Sequence, residues 1–427
     1  MPVSLDEPLR LPCGAQLPNR LLKSAMSEGL ATVDNRVTPE LVTLYGRWAE
    51  GGIGLCVTGN VMIDRRALGE PHNVALEDER DIDTFQAWSL AGTGGDTACW
   101  MQLNHPGKQV PRGLNSESVS PSAVPFRPDM ARYFATPRAL TESEIEDLIV
   151  RFGVSARLAK RAGFTGVQIH GAHGYLVSQF LSPHHNQRND AWGGSPENRR
   201  RFVLAVYDSI RAAVGPHFPV SIKLNSADFQ QGGLSEEESL EVVKSLAQRG
   251  IDLIEISGGT YEAPVMAKGA PIRESTRKRE AYFLDFAAKA RTHVEVPLAV
   301  TGGFRTYEGI SNALSSGALD MVGLARALAL DPDFPKKLMN SQETVSSVRP
   351  IRTGVGLIDR TGMMEVSFYS RQLQRMGRGK EPKPHESPKL ALAGILASQG
   401  LGTLFTRLRA RPAAPAPTAE SVEPAEA

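Results

Sequence analysis

Short apolar runs recur along the chain with amphipathic stretches between them, and this alternation sets the expected architecture. Eight runs stand out: Arg20–Met26, Ile53–Gly59, Ala98–Asn104, Gly166–His170, Pro219–Leu224, Leu253–Ser257, Pro297–Thr301 and Asp320–Ala325. Rich in Ile, Val and Leu, they suit strands of a parallel sheet buried on both faces. Each ends in small or polar residues and is followed by a plausible helix. Thr38 caps one helix, with Pro39 and Glu40 in its first turn, and Ser195-Pro196-Glu197 opens another in the same way. Capping-box patterns begin at Thr141 and Ser235, and Gly163 and Gly250 fall where those two helices should stop. Eight βα units without a ninth strand predict an α/β fold, a (β/α)8 TIM barrel rather than an open sheet.

Two segments depart from the rhythm. Residues His105–Arg138, rich in Pro and Ser, interrupt the third βα unit and read as a lid on the face where barrel active sites lie. Past about Leu338 the βα alternation is lost; Gly354–Gly379 and Lys389–Arg411 have helical character, and Pro412 opens a run of Ala, Pro and Glu. The expected organisation is a barrel over 1–340, a helical extension over 341–411 and a disordered tail over 412–427. The Lys389–Arg411 helix is expected to dock on the barrel or on a second subunit rather than on a membrane surface.

Charge narrows the partners. Lys plus Arg number 48 against 47 for Asp plus Glu, so no overall field favours nucleic acid or an anionic membrane. No apolar run has the length of a bilayer span, and the N-terminal residues lack a signal-peptide shape. Cys13, Cys56 and Cys99 are scattered, without the spacing of a zinc knuckle or iron–sulfur cradle, and suit a reducing, cytoplasmic setting. Cys56 and Cys99 lie inside strand patterns and read as inert core residues.

Chemistry concentrates in Gly166–Phe202. A buried strand there delivers His170, His173 and Tyr175 within six residues of one another, at the C-terminal end where a barrel carries its active site. Glycines ending the last two strands, in Thr301-Gly302-Gly303 and Gly323-Leu324-Ala325-Arg326, let backbone N–H groups approach a phosphate, with Arg326 as a fixed cation. No GxGxxG fingerprint follows the first strand, so a mononucleotide or phosphorylated substrate is expected rather than a Rossmann-bound dinucleotide. Flavin mononucleotide also gives work to Gln102 and Lys223 at strand ends, an amide for the ring's pyrimidine edge and a cation for its reduced form.

Several long motifs sharpen this reading: LPNRLLKSAMSEG, GLCVTGNV, MQLNHPGKQ, IHGAHGYLVSQFLSPHHNQRNDAWGGSPENRRRF, VTGGFRT and GLARALALDPDF. Together they resemble the Old Yellow Enzyme family, the FMN-dependent ene-reductases or NADH:flavin oxidoreductases, over about Leu9–Leu338. The resemblance implies that Ala25, Met26 and Ser27 lie along the flavin and reach its O4–N5 side. It implies that Gly59 and Gln102 contact the ring's polar edge and that Lys223 lies near N1 and O2, where the family usually has arginine. Gly302, Gly303, Ala325 and Arg326 match the phosphate site, His170 and His173 the pair that binds a substrate carbonyl, and Tyr175 the proton donor. FMN, an NADH or NADPH donor and a small enone-like acceptor follow, with a homo-oligomer as a further expectation. Ser27 stands where many relatives have cysteine or threonine.

Two rival readings use the same residues. His170, His173, His184 and His185 fall within sixteen residues, so a metal-dependent barrel hydrolase is one alternative, although His184-His185 also reads as a loop-stabilising pair. A flavin-binding protein without useful turnover is the other; the intact histidines and Tyr175 argue against it. The basic clusters Asn198-Arg199-Arg200-Arg201 and Arg277-Lys278-Arg279 adjoin glutamates and read as solvated helix faces or salt bridges.

Overall fold

All eight apolar runs become strands, and they close on one another. The computed structural model describes residues 3–131, 133–260, 262, 281–353 and 363–391. Lys389–Arg411 beyond residue 391, the tail from Pro412 and the Arg277-Lys278-Arg279 cluster lie outside them. The barrel strands are Leu21–Lys23, Leu55–Met62, Ala98–Asn104, Gly166–Gly171, Val220–Asn225, Leu253–Ser257, Leu298–Thr301 and Met321–Leu324. All pair in parallel in chain order, and the eighth returns to the first with Val322 opposite Leu21. This is the (β/α)8 barrel that the pattern predicts.

Two strand ends differ from expectation for physical reasons. Gly59 does not end the second strand. The register shifts between Val57 and Asn60, so Thr58-Gly59 form a bulge and pairing resumes to Met62. A Cβ on Gly59 would lie 1.9 Å from Glu28 Oε2, so only glycine fits there. The first strand is shorter than its apolar run because the chain leaves the sheet after Lys23. Ser24 N–H still donates to Leu324 O at 2.8 Å, and the next residues turn across the barrel mouth.

The predicted caps form. Thr38 Oγ accepts from Leu41 N–H, Thr141 and Ser235 make reciprocal capping boxes with Glu144 and Glu238, and Ser195 accepts from Asn198. Such a cap contributes about 0.5–2 kcal/mol. Gly163 and Gly250 follow their helices at φ +87° and +80°, the left-handed stop that a glycine makes without steric cost.

A hairpin too short to leave a sequence signal closes the barrel's N-terminal end. Its strands, Leu9–Arg10 and Gln16–Leu17, bring Leu9, Leu11 and Leu17 against Leu22, Trp100 and Met321 inside the barrel. Each leucine buried this way stabilises by about 1.5–3 kcal/mol.

At the opposite end, the His105–Arg138 insert packs against the loop after the fourth strand; Leu176 N–H donates to His105 O at 3.0 Å. Val110 and Leu114 bury against Met62, Leu68 and Ala75. The helix Met363–Gly377 crosses the mouth, where Ser370 Oγ donates to Ser27 O at 2.9 Å and Gln374 Nε2 to Glu28 O at 3.4 Å.

Candidate active site

Strand register brings the chemistry together. On neighbouring strands Gln102 pairs with Gln168, His170 with Lys223, and Lys223 with Glu255. Their side chains form a continuous chain under the mouth: Gln102 Nε2 donates to Gln168 Oε1 at 2.7 Å, and Gln168 Nε2 to Glu255 Oε2 at 2.9 Å. Glu255 also accepts from Ser24 and Thr301 hydroxyls and pairs with Lys223 Nζ at 3.0 Å. Burial by itself would raise the Glu255 carboxyl, but the Lys223 ammonium and the two hydroxyls outweigh it and hold the carboxyl below its ordinary range. Sequence reasoning passed over Glu255. Its signal was an acid in the middle of the apolar run Leu-Ile-Glu-Ile-Ser, where a charge needs a partner.

Above this layer lies a cavity of about 350 Å³, a size suited to a small ligand or cofactor. Ala25, Met26, Ser27, Gln102, His170, His173, Tyr175, Lys223, Ala325 and Arg326, all singled out in the sequence, line it together. Gly59, Gly302 and Gly303 are not among its lining residues. Gly59 N–H is directed to Glu28 Oε1 at 3.0 Å and to Tyr45 Oη at 2.8 Å, and Asn60 takes the place on the wall. Gly302 and Gly303 adjoin the wall residue Thr301 with φ +134° and +98°, backbone that a side chain would strain.

His170 and His173 meet edge to face with ring centroids 5.4 Å apart, and Tyr175 lies 4.7 Å from the His170 ring. Ala172 N–H donates to His170 Nδ1 at 3.4 Å, which assigns the His170 proton to Nε2. His173 sits at φ +61°, rare for a residue with a Cβ. It is held there by its N–H to Asn225 Oδ1 at 3.1 Å and by its Nε2 contact with Ser257 Oγ at 2.8 Å. Burial, then His173 and Lys223, pushes the His170 imidazole well below its ordinary range; burial and Lys223 push His173 down to about 3. Both rings are therefore neutral at physiological pH, able to donate an N–H without carrying charge.

The His105–Arg138 insert contributes no residue to the cavity wall among those described. One side of the wall comes instead from Glu365, Val366, Tyr369, Ser370 and Leu373 of the last described helix, and Glu365 pairs with Arg326 at 2.7 Å. The helix is held there by contacts far along the chain, Ser370 to Ser27 and Gln374 to Glu28, which leave no local trace in sequence. Of the two roles read for its cluster, a solvated face or a salt bridge, Arg199 takes the second: it is buried, pairs with Glu238 and donates to Leu181 O and Gly194 O.

A second cluster lies apart from this cavity. His184, His185 and Glu262 bring ligand-type atoms within 4.8 Å of one another, but Lys108 Nζ stands 3.7 Å from the same Glu262 carboxylate and supplies it with a cation. His170 and His173 do not join that group.

The sequence profile of the NADH:flavin oxidoreductase / NADH oxidase family matches residues 4–344. The chain belongs to this family. Its cofactor is accordingly FMN, with NAD(P)H as electron donor. Among NADH:flavin oxidoreductases it is similar to the NADH-dependent flavin oxidoreductase iliE of Hypocrea jecorina (strain QM6a), at 39% identity over 363 residues, 80% of this chain and 90% of the relative. The protein of the same name from Neonectria sp. (strain DH2) is also 39% identical, over 82% of this chain, which spans only 48% of that relative's length. A solved Old Yellow Enzyme homologue from Zymomonas mobilis superposes with a TM-score of 0.70 at 25% identity, over 81% of this chain and 95% of that one.

The residues fit the FMN that the family carries. Gln102 and Lys223, both on the cavity wall, would offer an amide and an ammonium to the ring's polar edge. Arg326 on the wall would offer a phosphate its guanidinium, and Gly302 and Gly303, next to the wall residue Thr301, would offer backbone N–H groups.

Proposed function

We propose that this oxidoreductase reduces the C=C bond of α,β-unsaturated carbonyl compounds or related electron-poor acceptors. Bound FMN supplies the hydride that it has received from NAD(P)H. The chain's own residues then have distinct work. The Nε2–H of His170 and an N–H of His173 donate to the carbonyl oxygen as negative charge builds there, and Ser257 Oγ orients the His173 ring. The Tyr175 hydroxyl delivers a proton to the α-carbon. Lys223, anchored by Glu255, holds positive charge at the base of the cavity, and Tyr369, Val366 and Leu373 form an apolar wall that shields the acceptor from water.

One observation carries this reading: two neutral imidazoles and a phenol meet over the cavity whose floor holds Gln102 and Lys223. Neutral donors suit an acceptor that gains charge only in the transition state. The test is rapid mixing of the yellow holoprotein. NADH or NADPH should bleach it, and cyclohexenone added to the bleached protein should restore the colour faster than air alone. Recolouring no faster with the enone than without it would defeat the proposal and leave a flavoprotein with another acceptor.

A further inference from the structure

Two acids stand on the cavity wall; Glu365 is paired with Arg326, and Glu70 takes no part in the proposed reaction. Glu70 lines the cavity beside Ser27, and Ser27 Oγ donates to Glu70 Oε1 at 3.0 Å. The acid sits on a built turn: Asn73 Oδ1 accepts from Gly69 N–H at 3.1 Å and from Glu70 N–H at 2.7 Å. Asn73 Nδ2 in turn donates to Asn60 Oδ1 at 3.3 Å, tying the turn to the bulged strand. The same turn abuts the proton donor, since a Cβ on Gly69 would lie 3.6 Å from Tyr175 Cε1.

We propose that Glu70 is a positioning residue that sets the direction of the Ser27 hydroxyl and, through it, the redox poise of the site. This rests on the FMN reading, in which Ser27 lies at the O4–N5 side of the ring. A serine hydroxyl has a single hydrogen. When Glu70 is ionised it takes that hydrogen, and the Ser27 lone pairs face the cavity. When Glu70 is protonated by solvent, its own O–H donates to Ser27 Oγ, and the serine hydrogen is released toward the cavity. Reduction of bound flavin adds negative charge to the ring, so the second arrangement favours the reduced state. The two events are then linked reciprocally: flavin reduction draws a proton onto Glu70, and a proton on Glu70 favours reduction.

The surroundings make Glu70 the group that responds. Its carboxyl is raised by burial, lowered by the Ser27 hydrogen bond and raised again by Glu28. Glu28 itself accepts from Tyr45 Oη and Gly59 N–H. Of the other ionisable groups on the wall, Lys223 is paired with Glu255 and Arg326 with Glu365, while burial keeps His170 and His173 neutral. Tyr175 and Tyr369 are the phenols on the wall, and burial raises the Tyr369 hydroxyl.

The experiment is the flavin midpoint potential of the holoprotein measured from about pH 5 to 8, spanning the range between an ordinary carboxyl and neutrality. The wild-type slope should steepen in part of that range, where reduction takes up an additional proton. Glu70→Gln should remove the steepening, and so should Ser27→Ala, which keeps the acid but deletes the hydroxyl. An unchanged slope in Glu70→Gln overturns the coupling. A slope lost in Glu70→Gln but intact in Ser27→Ala overturns the role of the hydroxyl and assigns the effect to direct charge. A colourless protein that binds no added FMN would instead overturn the proposed function, and this inference with it.

Discussion

Replacing Tyr175 by Phe removes a single oxygen, and with it the proton proposed for the α-carbon. Steady bleaching by NAD(P)H should be nearly unchanged in Tyr175→Phe, while recolouring by an enone should slow by about 10²–10⁴-fold; equal slowing of both half-reactions would remove Tyr175 from that role. The imidazoles make a second prediction, this time about pH. Their folded values lie below the ordinary histidine value, so the unfolded chain binds more protons as pH drops through about 6.5. The stability that depends on them is present above that pH and lost below it. Thermal unfolding followed from about pH 5 to 8 should show this loss, and His173→Asn should flatten it. At this scale the sequence was informative where a residue's chemistry stood beside its strand end, as with His170 and Tyr175. It was silent on Glu70, whose partner Ser27 is distant in the chain and whose surroundings are ordinary loop.

The elements carry their own costs. The bulge in the second strand is filled by the Glu28 carboxylate, so Gly59→Ala must push either the acid or the strand aside. A loss of about 1–3 kcal/mol in denaturant unfolding is expected, as for other overpacked sites. Glu255 links four elements through Ser24, Gln168, Lys223 and Thr301. Glu255→Gln would strand the Lys223 ammonium in a buried layer and should destabilise by about 3–5 kcal/mol, read as a lowered melting temperature. Period and capping residues made the strands and long helices legible, because burial on both faces and a satisfied helix N-terminus are local requirements. The bulge was not legible: Thr-Gly-Asn also reads as a strand end, and only the distant Glu28 distinguishes the two. The two-residue strands of the N-terminal hairpin are too short for any periodicity.

Across the whole molecule, the barrel supplies the floor of the cavity and the helix Met363–Gly377, beyond the family profile's match to residues 4–344, supplies one wall. Its Glu365 carboxylate holds the same Arg326 guanidinium proposed for the phosphate. Glu365→Gln should therefore tighten FMN binding to the apoprotein by about tenfold, by removing a like charge beside the phosphate. Flavin fluorescence quenching measures it, and weaker binding would mean that the carboxylate's hold on Arg326 matters more than its repulsion. Because every barrel strand precedes this helix in the chain, a growing polypeptide has its full ring of strands before the pocket's last side exists. The side of the cavity nearest Tyr369 and Leu373 is thus made of residues synthesised after both imidazoles and the phenol.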